Sequence, residues 1–282
     1  MASIKEIEKK LAKQFEKIDD VAFFNQKKVL DAFAECKITT QCFAGTTGYG
    51  YDDQGRDKLA MLFSHVFKTE KAIVSPLITC GSHAISIVLY GLLRPNDTIL
   101  SISGELYDTL YDTLFGKENG SLENFGIKFK QIELKNNNFD KDLILKAIKK
   151  YQPKVVFVQR SRGYTSRKAL SIKQMQEIFA DIKTVKNPPF IVVDNCYGEF
   201  VEEKEPTEVG ADVIVGSLIK NPGGGLAPTG AYIAGTEKAI DMISTRFTSP
   251  SLLLEVGSYE LGYRMFYQGL FLAPHTVAQA LK

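Results

Sequence analysis

Three segments of this 282-residue chain carry residues whose types could together form one reactive site. The apolar run Ile191-Val192-Val193 ends at Asp194, and the apolar run 213–216 is followed four residues later by Lys220. The third segment, Gly81-Ser82-His83, is a glycine turn that opens a predicted helix, and exposed N–H groups at a helix start favour a phosphate. A carboxylate, an amine and a phosphate cradle are therefore candidates for a common site.

Lys220 has an unusual sequence environment for a lysine. It follows Leu218-Ile219 and precedes Asn221-Pro222 and a run of three glycines. Because lost hydration lowers the pKa of a lysine and makes its amine nucleophilic, we expect a lowered pKa for Lys220. Taken alone, Asp194 fits a helix or turn cap equally well, and the Gly81 turn is common in α/β proteins.

Alternating extended and helical segments predict the scaffold for these residues. Strands are predicted at 72–75, 98–102, 127–134, 155–159, 190–193, 213–216 and 231–234. Helices are predicted at 4–18, 21–38, 56–67, 82–93, 140–150, 171–183 and 252–269. Such alternation indicates a mostly parallel α/β sheet. Because open α/β sheets bind ligands at the carboxyl ends of their strands, Asp194 and Lys220 are expected at the ligand edge.

These groups match the requirements of pyridoxal 5'-phosphate (PLP). PLP needs a lysine for its aldehyde, an acid facing its pyridine nitrogen and a helix N-terminus for its phosphate. The sequence therefore predicts PLP as the cofactor. A nucleotide-binding Rossmann protein is disfavoured, because no Gly-x-Gly-x-x-Gly motif follows the first strand.

Over nearly its whole length the chain resembles the fold type I PLP enzymes, and more closely the methionine gamma-lyase-like family that is also called aluminium resistance proteins. The matching stretches are 48–57, 81–84, 193–195, 210–220 and 267–275. The resemblance implies a PLP-transferase-like large domain with a mostly parallel seven-stranded sheet. It divides the chain into an N-terminal helical segment at 1–45, a PLP-binding large domain at 46–250, and a long helix at 251–282. That helix is expected to lead to a small C-terminal domain that this chain lacks.

The resemblance also implies a role for each matching residue. Lys220 is the Schiff-base lysine and general base, Asp194 is the partner of the ring nitrogen, and Tyr107 stacks on the ring and acts as an acid. The further cofactor contacts implied are Gly81, Ser82, His83 and Ser217, together with Tyr49, Tyr51 and Arg56 from a loop that completes a neighbouring subunit's site. The rival interpretations are structural: an aromatic on a helix face for Tyr107, caps for Ser217 and His83, and a turn for the loop.

Two positions depart from the pattern of the sulfur amino acid lyases. Ile219 stands where they carry a threonine, so one phosphate contact is missing. Arg160 and Arg162 follow the fourth strand where they carry an asparagine. Either arginine is a candidate to contact the phenolic oxygen of the ring or to bind a substrate carboxylate, and the sequence leaves both alternatives open.

The resemblance implies a PLP-dependent carbon–sulfur lyase that acts on a sulfur amino acid by β- or γ-elimination. Another reaction of the same fold, transamination or retro-aldol cleavage, remains open. So does a PLP-binding domain without turnover, because the arginine that grips the substrate carboxylate is expected beyond Lys282. The expected partners are a small amino-acid substrate and further copies of the chain, in a homodimer or homotetramer.

Composition bears on whether the protein binds nucleic acid, spans a membrane or holds a metal. The net charge of +2, from 35 basic and 33 acidic residues, argues against a dedicated nucleic-acid binder. The longest apolar run, at 84–93, is too short to span a bilayer. The four cysteines form no CxxC pair, so we predict no metal site and reduced thiols, as expected for a cytoplasmic protein.

Overall fold

A seven-stranded sheet organises the computed structural model, which describes residues 4–116 and 120–282. Its strands are β1 (Lys71–Ser75), β2 (Thr98–Ser101), β3 (Lys128–Gln131), β4 (Val155–Gln159), β5 (Phe190–Asp194), β6 (Val213–Ser217) and β7 (Ala231–Gly235). They lie in the order β1-β7-β6-β5-β4-β2-β3. Only β7 runs antiparallel to its neighbours, β1 and β6. The predicted mostly parallel α/β sheet is thus confirmed.

Eight α-helices surround the sheet in the described part of the chain. They are α1 (Ile4–Glu35), α2 (Gln54–Val66), α3 (Gly81–Leu92), α4 (Asp108–Phe115), α5 (Lys141–Tyr151), α6 (Ile172–Lys183), α7 (Glu237–Ser244) and α8 (Arg264–Leu281). Short 3-10 turns occupy Thr40–Phe43, Pro206–Val209 and Asn221–Gly223. A capping box formed by Ser171 and Gln174 opens α6.

The alternation of side chains along each strand explains why the central strands are apolar throughout. In β4, Val156 and Val158 face a core that α2, α5, α6 and α8 cover, whereas Val155 and Phe157 face a core that α3, α4 and α7 cover. Since both faces of the sheet are covered by helices, apolar residues are required at every position of a central strand. The sheet is the middle layer of three.

Three of the predicted helices were wrong in their bounds. The segments 4–18 and 21–38 form the single helix α1. The long C-terminal helix starts at Arg264 instead of Leu252, since the preceding segment contains Gly257 and Gly262 with φ of 122° and 75°. Positive φ interrupts a right-handed helix. The helices α4 and α7 were not predicted at all.

Two further observations concern the state of the cysteines and the ability of the helices to cross a membrane. All four cysteines, at positions 36, 42, 80 and 196, are free thiols. Within 4–116 and 120–282, no helix combines the length and the apolar character that crossing a membrane requires.

Candidate active site

Asp194 and Lys220 lie at the carboxyl ends of two neighbouring parallel strands. Asp194 is the last residue of β5 and pairs in register with Val215 of β6, and Lys220 follows the end of β6 by three residues. The Asp194 side chain is 3% exposed, and its Oδ1 accepts a hydrogen bond of 3.1 Å from the N–H of Cys196. Burial raises the pKa of Asp194 above its ordinary value. A buried carboxylate of this kind favours a cationic partner.

The amine of Lys220 is half-buried beside acidic and aromatic groups. Its Nζ lies 4.4 Å from the centre of the Tyr197 ring. Burial lowers the pKa of Lys220, but the charges of Cys196 and Asp194 raise it more, so that the pKa lies above its ordinary value. The expectation of a lowered pKa was therefore wrong for the protein without a ligand. The sequence showed the loss of hydration but not the acidic groups that the fold brings to the amine.

The N-terminus of α3 lies against the end of β6. Cys80 caps the helix by accepting a hydrogen bond from the N–H of His83 at 3.4 Å. A Cβ added at Gly81 would lie 3.4 Å from Cys196 Sγ and 3.6 Å from Ser217 Cβ. The first N–H groups of a helix lack partners within the helix, so those of α3 are available to an anion next to Ser217.

Ser217 carries a polar atom that its own chain leaves unpaired. The side chain is 1% exposed, and its Oγ has no hydrogen-bond partner among the described residues. A buried hydroxyl without a partner is costly, and such groups in native proteins call for an explanation. A phosphate held at the start of α3 explains the orphaned hydroxyl.

Tyr107 connects the segment before α4 to the start of α3. Its hydroxyl lies 2.8 Å from Ser82 Oγ, and its N–H donates to Gln159 Oε1 at 3.2 Å. Burial raises the pKa of Tyr107 to about 12. The phenol therefore stays protonated at neutral pH and can donate a proton in a hydrogen bond.

The residues so assembled fit PLP. They provide an amine, a buried carboxylate on the adjacent strand, an aromatic ring, and an orphaned hydroxyl next to a helix N-terminus. These are the four kinds of group that the aldehyde, ring nitrogen, ring face and phosphate of PLP require. No cluster of three or more potential metal ligands occurs in the described part of the chain.

Arg160 is buried in a structural network. Its side chain is 3% exposed, and its guanidinium donates to Asn195 Oδ1, the Gly198 carbonyl, the Leu170 carbonyl and Glu202 Oε1 at 2.8 to 3.3 Å. Both NH groups and the Nε are thus engaged within the protein. This arrangement favours a structural role over the two ligand-binding roles considered from the sequence. Arg162, in contrast, is exposed.

The loop that contains Tyr49, Tyr51 and Arg56 lies apart from this cluster in its own chain. The two tyrosines are exposed, with ring centres 5.6 Å apart, and Arg56 is buried and donates to the Gly50 carbonyl at 2.9 Å. In the part of the chain that the structure describes, no hydrogen bond or ring contact joins these residues to Lys220. A contribution to a neighbouring subunit's site stays a prediction.

His83 and Ile219 lie near the cluster with exposed side chains. Nδ1 of His83 accepts a hydrogen bond of 3.2 Å from the Thr79 N–H, which stabilises the turn before α3. Ile219 is exposed between Ser217 and Lys220. The local role of His83 is thus a cap of the turn, one of the two alternatives considered from the sequence.

Four residues of the site were not identified from the sequence. Cys196 and Tyr197 come two and three residues after Asp194, and Gln159 ends β4. Glu199 is a fully buried acid whose Oε2 has no partner among the described residues. The signal for the first three was their position at or just after a strand end. Nothing in the sequence indicated that Glu199 would be buried.

Comparison with known proteins identifies the family of this chain. The family model for methionine gamma-lyase matches residues 1–282. The uncharacterised protein YnbB of Bacillus subtilis is 43% identical over 281 residues, which cover 98% of this chain and 66% of YnbB. The chain therefore spans just under two thirds of the length of that curated relative.

Two solved structures extend the comparison. A carbon–sulfur lyase involved in aluminium resistance from Clostridium novyi superimposes with a TM-score of 0.94 at 46% identity, covering 98% of this chain and 67% of that one. The PLP-dependent protein YhfS of Escherichia coli superimposes with a TM-score of 0.69 at 17% identity, over 92% of this chain and 66% of that one. The second likeness shows the fold of a PLP-dependent protein. The family match over the full sequence shows that this chain belongs to the methionine gamma-lyase family.

Proposed function

We propose that the chain is the cofactor-binding part of a PLP-dependent carbon–sulfur lyase that acts on a sulfur amino acid by β- or γ-elimination. The observation that carries the proposal is the convergence of Lys220, Asp194 and the orphaned hydroxyl of Ser217 at the N-terminus of α3. The family membership and the Clostridium relative described as a carbon–sulfur lyase support the type of reaction.

Each group of the cofactor has a candidate partner. Lys220 would hold the aldehyde carbon through its amine, and Asp194 would keep the ring nitrogen protonated. Ser217 and the first N–H groups of α3, at Gly81 and Ser82, would hold the phosphate. Tyr107 would cover the ring. When bound, PLP supplies an electron sink for the bonding electrons of the substrate α-carbon.

The protein residues then control protons and orientation. The Nζ of Lys220, once free, is the base we assign to the α-proton of the substrate, and it must be neutral to accept that proton. Tyr107 keeps its phenolic proton at neutral pH because burial raises its pKa to about 12, so it can donate to a leaving group. Arg162 is exposed. Of the two arginines that follow β4, it remains the candidate to bind the carboxylate of the substrate.

The proposal also covers the oligomeric state of the protein and its location in the cell. We propose a homodimer or homotetramer in which the exposed Tyr49 and Tyr51 reach a neighbouring subunit's site, with Arg56 supporting their loop through Gly50. The partner molecules are a small amino acid and further copies of the chain, without nucleic acid or membrane. Four free thiols are in keeping with a cytoplasmic location.

Transamination or retro-aldol cleavage on the same fold is the second candidate. The products distinguish the reactions, because a lyase releases a thiol, ammonia and a 2-oxo acid from cystathionine or methionine. A PLP-binding protein without turnover would bind the cofactor and release none of these.

Borohydride reduction followed by peptide mass spectrometry tests the cofactor assignment. We expect the purified protein with PLP to absorb visible light, and reduction to attach one cofactor to Lys220. Lys220→Ala should lose the absorbance band and the adduct, whereas the exposed Lys238→Ala control should keep both. An adduct on a different lysine would contradict the proposal.

A further inference from the structure

The free amine of Lys220 has a defined resting place on an aromatic ring. Its Nζ lies 4.4 Å from the centre of the Tyr197 ring, within the distance at which an ammonium is attracted to an aromatic face. The same turn brings Cys196 close to the site, but its thiol offers no ring face. Tyr197 therefore makes a contact that favours the charged form of the lysine.

The backbone of Tyr197 is held in a conformation that tyrosine seldom adopts. Its φ is 67°, in the left-handed region, where a large side chain is unfavourable. The side chain is 61% exposed, so burial of the ring does not compensate for this strain. Strain of this kind persists where the surrounding structure imposes it, and it is often found at functional sites.

A buried network imposes this conformation on the turn. The N–H of Gly198 donates to the Asn195 carbonyl at 2.7 Å, and Arg160 donates to both Asn195 Oδ1 and the Gly198 carbonyl at 2.8 Å. A Cβ at Gly198 would lie 2.5 Å from Arg160 Cδ, so the turn closes tightly on the arginine. Arg160 thus holds the residues on both sides of Tyr197, at Asn195 and Gly198, in place.

The ring also borders an open space beside the site. A cavity of about 450 Å³ is lined by Tyr197, Arg162, Gly163, Val201 and Glu202, among other residues. A Cβ at Gly163 would lie 3.8 Å from Tyr107 Cβ, so one of the residues that line the cavity lies close to Tyr107. A small molecule in this cavity would thus lie next to the ring that contacts Lys220.

From this geometry we propose that Tyr197 is a positioning residue, whose ring holds the Lys220 amine at the edge of the cavity whenever that amine is not bonded to the cofactor. The proposal rests on the function proposed above, since it assigns the held amine to the proton-transferring lysine. The ring stabilises the ammonium form of Lys220 and so keeps its Nζ in one place. When the amine loses its proton, this attraction is lost and the amine can leave the ring.

Lys220 faces several groups that set its protonation. Asp194 and Cys196 approach from the end of β5, Tyr107 from the segment before α4, and Tyr197 from its turn. Burial of Lys220 opposes the charged form, whereas Asp194 favours it. The contribution of the Tyr197 ring is separable, because replacing this exposed side chain leaves the other three groups in place.

The test is the pH dependence of acetylation of Lys220 in the protein without cofactor. Brief pulses of acetic anhydride between pH 8 and 12, followed by peptide mass spectrometry, give the midpoint at which the amine becomes reactive. In Tyr197→Leu we expect the midpoint to fall by about 0.7 pH unit, equivalent to about 1 kcal/mol of lost cation–π attraction. Tyr197→Phe keeps the ring and removes only the hydroxyl, so its midpoint should lie between those of the wild type and Tyr197→Leu.

Two controls separate positioning from folding. Tyr164→Leu removes an exposed tyrosine from the neighbouring loop and should leave the midpoint unchanged. Tyr197→Asn tolerates positive φ and should unfold at the same or a higher temperature, yet show the same fall in midpoint as Tyr197→Leu.

The outcomes are decisive in both directions. An unchanged midpoint in Tyr197→Leu and Tyr197→Asn would overturn the positioning role, even if activity fell. A lowered midpoint with preserved stability would support it. Failure of the lyase assignment would instead appear as a borohydride adduct away from Lys220, so the two results are distinguishable.

Discussion

The hydroxyl of Tyr107 lies 2.8 Å from the hydroxyl of Ser82, which ties a phenol to the first turn of α3. Burial raises the pKa of Tyr107 to about 12. Tyr107→Phe should therefore lose this hydrogen bond, and the free energy of unfolding of the protein without cofactor should fall by about 0.5–1.5 kcal/mol. Urea unfolding measures this change. The pH titration of the cofactor absorbance between pH 6 and 10 should remain that of the wild type, and loss of an ionisation in this range would show that Tyr107 titrates there.

Asp194 is the candidate partner of the cofactor nitrogen. A charge-assisted hydrogen bond contributes roughly 1.5–3 kcal/mol, so Asp194→Ala should weaken PLP binding by about ten- to a hundredfold. Asp194→Asn keeps the shape and removes the charge, and it should lose affinity by a similar factor. Equilibrium dialysis against PLP measures both. If both variants bound PLP with the affinity of the wild type, the role of Asp194 would be limited to capping the Cys196 N–H.

Ser217→Ala should separate stability from cofactor binding. The Oγ of Ser217 is buried and has no partner among the described residues, so its removal should leave the protein without cofactor as stable as the wild type or more so. The same variant should bind PLP more weakly. Ser101→Ala is the matched control, because Ser101 Oγ donates to the Gly104 carbonyl at 3.0 Å and its loss should cost about 1 kcal/mol. Urea unfolding and PLP titration measure the two effects, and unchanged PLP affinity in Ser217→Ala would argue against a phosphate contact.

The sequence predicted the sheet well because its signals are local. Continuous apolar runs in the predicted strands 155–159 and 213–216 marked strands covered on both faces, and strand ends marked the position of Asp194 and Lys220. The start of α8 was missed because apolar residues continue through 252–263, where glycines with positive φ prevent a helix. Periodicity does not report backbone strain of this kind.

The site was predicted less completely because its electrostatics depend on long-range contacts. The raised pKa of Lys220 depends on Asp194, which is 26 positions earlier in the sequence. Arg160 was a candidate ligand residue only while its partners were unknown. Its contacts to Asn195 and Gly198, more than 30 positions away, arise from the pairing of β4 with β5.

Arg160 should be needed for folding more than for binding. Arg160→Leu leaves Glu205, which is fully buried 3.6 Å from the guanidinium, without its cationic partner. Removing one partner of a buried ion pair costs about 3–5 kcal/mol, so we expect a large fall in the free energy of unfolding. Arg162→Ala, which alters an exposed side chain, should unfold like the wild type. A stable Arg160→Leu protein with weakened substrate binding would instead identify Arg160 as a ligand-binding residue.

Glu199 should make the stability of the protein depend on pH. Its side chain is fully buried, its Oε1 accepts a hydrogen bond of 2.8 Å from Tyr232, and its Oε2 has no partner in the described part of the chain. Burial raises the pKa of Glu199 to about 8, from an ordinary value of 4.5. Between these two values the folded protein binds more protons at Glu199 than the unfolded chain does.

Because of that difference, the contribution of Glu199 to the free energy of unfolding should be complete below pH 4.5, decline as pH rises towards 8, and stay constant above. Glu199→Gln carries a neutral side chain of the same shape and should lack this decline. Urea unfolding of both proteins at pH 5.5, 7 and 8.5 measures it. Asp194 and Glu205 are present in both proteins, so the comparison reports Glu199 together with its coupling to these two carboxyl groups. We expect the variant to gain stability relative to the wild type at each step. Parallel stability profiles would show that Glu199 is already ionised in the folded protein at pH 5.5, and that a group not yet identified stabilises its charge.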